Sequence, residues 1–101
     1  MLYDSTKVLL RGILLSLQTT GRIRWDDQVE LARECSYEMH QMARPLYHGY
    51  RADPMNKVPV LTPVYQRAAR AIPHVKLMVR AIGRKDQIAA VESGKAALAE
   101  M

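Results

Sequence analysis

The residues able to do chemistry are few and scattered through this 101-residue sequence. His40, His48 and His74 stand apart, and neither Glu38 nor Cys35 pairs with His40 at the i, i+4 spacing of a zinc-binding helix. Cys35 falls on an apolar stripe, where a thiol is a small core residue and not a nucleophile, because a reactive thiolate needs exposure and positive neighbours. No glycine-rich phosphate loop and no serine nucleophile motif occurs. Asp26 and Asp27 suit a helix start better than an acid pair. The expectation is therefore a protein that is not an enzyme, without a metal or a cofactor of its own. Met39, Met42, Met55 and Met78 make the core soft; they fill gaps or admit an apolar chain.

Length bounds what can position such groups. One compact domain is all that fits, burying about two-thirds of the unfolded surface, and the 49% hydrophobic and 25% charged content is that of a folding chain. A lone Cys35 cannot staple it. No apolar run reaches the roughly 18 residues of a membrane span, and no presequence is evident, so a mitochondrial location would require import without a cleavable signal or a chain already processed.

Charge is distributed unevenly beneath the net +5. Residues 57–85 carry Lys57, Arg67, Arg70, Lys76, Arg80, Arg84 and Lys85 with no acid at all. Such a run repels itself unless it meets an anionic surface, and its field speeds the encounter with one. Acidic protein or RNA are the two candidates, with a solvated helix face as the plain alternative.

The periodicity predicts an all-α, three-helix antiparallel bundle plus a short C-terminal helix. Helix 1 is expected over 5–20, with Asp4 or Ser5 as N-cap and Gly21 as a left-handed stop. Leu10, Ile13, Leu14 and Leu17 fall at core spacing. Val8 and Leu15 project from the other side around Gly12, so this helix should be buried twice, the second time by a partner chain. Helix 2 is expected from Asp27, with Pro45 either kinking it or ending it near Ala43, with Ala32, Cys35, Met39, Met42 and Leu46 as its seam and Glu30, Glu34 and Glu38 as an acidic outer row. Residues 47–62 read as a connector with Tyr47 and Tyr50 as anchors for an outside contact. Thr62-Pro63 opens helix 3, whose seam Val64, Ala68, Ala71, Val75, Met78 and Ile82 keeps phase through Pro73, implying one helix kinked there and ended by Gly83. Arg70, Lys76, Arg80 and Arg84 leave from its reverse side. Asp86 caps a last helix to about Glu100 whose sizeable apolar residues are Ile88, Val91 and Leu98. The domain division is a bundle over 1–85 and a helical extension over 86–101.

Within helix 1, Leu9-Leu10-Arg11-Gly12-Ile13-Leu14 resembles the L-Y-R-x-L-L opening of the LYR-motif proteins, small basic three-helix proteins of mitochondrial assemblies. Leu9, Arg11, Ile13 and Leu14 match, Leu10 stands at the motif tyrosine, and the family's later phenylalanine has no counterpart in a sequence without Phe. The resemblance implies a subunit or assembly factor in the mitochondrial matrix or on the matrix side of the inner membrane. It implies an acyl carrier protein as partner, whose acyl-phosphopantetheine inserts between the helices, with Arg11 as the matched motif residue.

Taken together, the expectation is a non-catalytic subunit or adaptor of a larger mitochondrial complex of respiratory-chain or ATP synthase type. Its partner-binding residues are Val8, Arg11, Gly12, Leu15, Tyr47, Tyr50, Arg70, Lys76, Arg80 and Arg84. The alternatives are an RNA-contacting protein of a ribosome-like particle, or a small phage or bacterial regulator, either of them cytoplasmic.

Overall fold

A computed structural model describes residues 2–19, 21–44 and 62–101. These residues form four helices and, among the described residues, no strand: α1 (Leu2–Leu17), α2 (Trp25–Arg44), α3 (Thr62–Gly83) and α4 (Gln87–Glu100). The chain is an all-α bundle with a short C-terminal helix. Helices α1 and α3 each pack on α2 and on α4, which closes a ring of four neighbours. Side-chain ties give the directions. Thr6, early in α1, meets Glu38, late in α2, while Gln87, at the start of α4, reaches the Leu17 carbonyl. Both pairings are antiparallel. No helix among the described residues is long and apolar enough to cross a membrane.

The core follows the seams. Leu10, Ile13 and Leu17 of α1, Ala32, Cys35, Met39 and Met42 of α2, and Ala68, Ala71, Val75, Met78 and Ile82 of α3 are buried together. Each fully buried leucine contributes about 1.5–3 kcal/mol, so the stripes outweigh the weak intrinsic propensity of such short helices. Helix α3 is continuous through Pro73, as the unbroken phase of its seam predicts.

Several boundaries differ from the sequence reading, each for a local reason. Helix α1 begins at Leu2, not Ser5, because Tyr3 is anchored by donating its hydroxyl to the Met101 carbonyl; Ser5 Oγ donates back to Leu2 O at 3.0 Å inside the first turn. It ends at Leu17, where Gln87 Nε2 donates to that carbonyl at 2.6 Å. Gly21 is not left-handed. Helix α2 begins at Trp25, and Asp26 and Asp27 occupy its first turn, where the helix dipole favours acids. Gly83 ends α3, but the left-handed residue is Lys85, at φ 58. Lys85 N donates to Ile82 O at 3.0 Å and Asp86 N to Ala81 O at 2.9 Å, the paired bonds of a Schellman cap. Asp86 then caps α4 by accepting from Ala89 N at 3.1 Å.

Helix α4 is buried most completely along its small residues, while Val91 and Leu98 are half-buried against the core. Ala90, Gly94 and Ala97 face inward, while Ile88 is exposed. Gly94 packs closely on its neighbours: a Cβ there would lie 2.6 Å from Leu14 Cδ2 and 3.1 Å from Met78 Sδ, so those side chains would have to shift. The expected acidic outer row of α2 is also broken, since Glu38 is half-buried and accepts from the buried Thr6 hydroxyl at 2.8 Å. The connector at 47–62, with Tyr47, Tyr50, His48 and Met55, lies outside the described residues apart from Thr62, the first residue of α3.

Candidate functional site

Among the described residues, two surfaces hold those singled out by the sequence. The first is the outward side of α1. Val8 and Leu15 are 64% and 72% exposed, and Arg11 and Gly12 between them are exposed too. Beyond its own turns of helix, no described residue comes within 4 Å of where a Gly12 Cβ would stand. Helix α4 adds to this side what the sequence reading did not assign. A shallow groove of about 310 Å³ runs between the two helices, with Leu14, Leu15 and Leu98 as apolar lining and Arg11 and Lys95 as its cations. Lys95 and Leu98 could be found only once α4 was known to lie antiparallel on α1.

The second surface is the basic side of α3, which the fold divides. Arg70 Nε donates to Glu100 Oε2 at 3.1 Å, so α4 neutralises that arginine. Arg84 lies 3.9 Å from Asp86. Both pairs are solvent-exposed and contribute little to stability. Lys76 and Arg80 instead turn toward α2, where with Arg33, Ser36 and Val79 they line a notch of about 250 Å³. The ion pairs among the described residues, Arg24 with Asp27, Arg70 with Glu100 and Arg84 with Asp86, include none of the notch's three cations. Arg33 was not among the expected site residues, since in sequence it sits beside the acidic row. Packing of α2 on α3 brings Arg33 and Ser36 to the same notch as Lys76 and Arg80.

The potentially reactive groups are withdrawn or dispersed. Cys35 is fully buried, and burial, with Glu38 and Glu34 adding to it, pushes its thiol up to about 12. A thiol so placed stays protonated and out of reach. His40 Nδ1 lies 2.8 Å from the Ser36 carbonyl one turn back on its own helix. Among the described residues no three His, Cys, Asp or Glu side chains come together in a group able to hold a metal. Met39, Met42 and Met78 are packed in the core.

At one end of the bundle a wider hollow of about 620 Å³ is lined by Arg22, Arg24, Trp25, Asp26, Asp27 and Lys85, among others. Its charges are mixed, and Arg24 Nε already pairs with Asp27 at 3.0 Å. Beside it Gln28, buried in the first turns of α2, has no partner for Oε1 among the described residues. Comparison of the chain with protein families, with curated proteins and with solved structures finds no match.

Proposed function

We propose that this protein is a non-catalytic small subunit or adaptor of a larger assembly, seated through the outer side of α1 and, through the cations of α3, on an acidic partner. One observation carries the reading: α1 buries Leu10, Ile13 and Leu17 completely yet leaves Val8 and Leu15 64% and 72% exposed on its opposite side. A helix apolar on two sides wants apolar cover on both, and the described residues cover only the side packed on α2 and α4. On the resemblance of Leu9 to Leu14 to the LYR motif, the assembly is mitochondrial, of respiratory-chain or ATP synthase type, and the acidic partner is an acyl carrier protein. Its acyl chain would enter between the helices along the deformable Met39, Met42 and Met78 seam.

Native purification with intact-mass analysis tests this. An acidic protein should accompany the chain; recovery of bare monomer under gentle conditions overturns the reading. Leu15→Asp, and Arg80→Glu with Arg84→Glu, should abolish or weaken the association while far-UV circular dichroism stays unchanged. Collapse of the isolated Leu15→Asp fold would put Leu15 in the core.

A second reading, contact with RNA, is favoured by the three cations Arg33, Lys76 and Arg80, none of which forms an ion pair among the described residues. Binding measured against salt decides it, because phosphate contacts give a steep log–log slope and a flat line removes them.

A further inference from the structure

Among the described residues, the notch between α2 and α3 is lined by three cations and no acid. Lys76 and Arg80 stand one turn apart on α3, and like charges at that spacing oppose helix formation. The packing of α2 then adds Arg33 to the same hollow, with Ser36, half-buried, beside it and Val79, also half-buried, as an apolar patch. Glu30 and Glu34, the acids nearest Arg33 in sequence, do not pair with it. Three cations assembled from two helices around one hollow cost the fold stability, and a bound dianion removes that cost. Two guanidinium forks, one ammonium point charge and one hydroxyl are the donor set that recognises phosphate oxygens.

We propose that Arg33, Lys76, Arg80 and the Ser36 hydroxyl form a binding site for a phosphate monoester. This deepens, and rests on, the reading of the basic side as a docking surface. The arrangement favours a single ester over a run of diesters. The cations converge on one hollow, whereas on either side of it Arg70 of α3 is engaged by Glu100 and Arg84, just past the end of α3, lies near Asp86, so among the described residues the row of free cations is interrupted on both flanks of the notch. A volume of about 250 Å³ holds a phosphate together with the first carbons of the group bearing it, and Val79 offers those carbons an apolar contact.

The test is a titration of the isotope-labelled full chain, followed by amide chemical shifts, with phenyl phosphate, a phosphoserine peptide, the same peptide unphosphorylated, and a short single-stranded RNA. Phenyl phosphate and the phosphopeptide should give saturable shifts confined to residues around 33–36 and 76–80, and the unphosphorylated peptide none. Lys76→Gln and Arg80→Gln should each weaken binding roughly tenfold, the scale of one charge-assisted hydrogen bond, while Arg67→Gln, elsewhere on α3, leaves it unchanged. Equal affinity for the two esters makes a free ester sufficient, and tighter binding of the peptide makes a phosphorylated protein the source; both support the site. Unsaturable shifts, shifts centred on Arg11 and Lys95, or tighter binding of RNA through the notch overturn it. If the esters fail while co-purification still depends on Arg80 and Arg84, the site falls and the docking reading stands. If the esters bind and no partner co-purifies, the docking reading falls by itself.

Discussion

The Thr6 hydroxyl donates to Glu38 Oε2 at 2.8 Å and so ties the start of α1 to the last turns of α2. Thr6 is fully buried and Glu38 half-buried, so this bond satisfies a polar pair on an otherwise apolar contact.

Thr6→Val keeps the shape and removes the donor, leaving a partly buried carboxylate unsatisfied. The expected loss is about 1–3 kcal/mol, read from urea denaturation. Glu38→Gln, which keeps an acceptor, should cost less than Thr6→Val. The double variant should cost clearly less than the sum of the two, since once the Thr6 donor is gone the change at Glu38 no longer weakens that contact; strict additivity would show that the bond contributes nothing.

Two helical glycines should respond in opposite directions. Around Gly12 nothing lies within 4 Å of an added Cβ, so Gly12→Ala should stabilise the isolated protein by about 1 kcal/mol through helix propensity alone. Gly94→Ala would press its methyl on Leu14 and Met78, and overpacking of this kind costs about 1–3 kcal/mol. Gly94→Val should lower the melting temperature further, and in a Leu14→Ala background, itself destabilised, the added cost of Gly94→Ala should shrink.

The joint between α3 and α4 carries a third pair of predictions. Lys85 holds a left-handed conformation that disfavours any side chain, so Lys85→Gly should raise stability by about 1 kcal/mol. Asp86→Ala removes the acceptor for Ala89 N and should cost about 1 kcal/mol. Thermal unfolding followed by circular dichroism measures both.

Cys35 sets a pH dependence. Its thiol is raised from 9.0 to about 12 in the folded state, so the unfolded chain releases the proton first. The stabilisation is complete below pH 9 and is lost as pH climbs toward 12. Cys35→Ala should flatten that part of the decline. At pH 8 a thiol reagent should label the native protein only at the rate at which the core opens; immediate labelling would place Cys35 at the surface.

Much of the fold was legible because seams are periodic. Leu10, Ile13 and Leu17, or Ala71, Val75 and Met78, announce their buried side through spacing alone, and Thr62-Pro63 marks the start of α3. Spacing does not reveal which neighbour a short helix chooses. Of the sizeable apolar residues Ile88, Val91 and Leu98, the first is exposed and the other two are half-buried, while Ala90, Gly94 and Ala97 are buried completely or nearly so, because small residues let the α4 backbone approach its neighbours closely. The same limit hid half of each surface. Val8, Arg11 and Leu15 could be read from one helix, and Lys76 and Arg80 from another. Lys95 and Arg33 join them only through packing between helices distant in sequence. Arg70 shows the converse, a cation that looks free along α3 and is met by Glu100 from α4.

The turn at Arg84, Lys85 and Asp86 sets an order of assembly. Because it closes α3 on α4 with almost no loop, that hairpin can form before any distant segment is recruited, and chain-closure entropy favours it as the nucleus. Helix α1 must wait until both α2 and the finished hairpin offer it a bed. We therefore expect substitutions at Ala90 or Ile82 to slow refolding, and those at Ile13 mainly to hasten unfolding; φ-values of equal size at all three sites would refute that sequence of events.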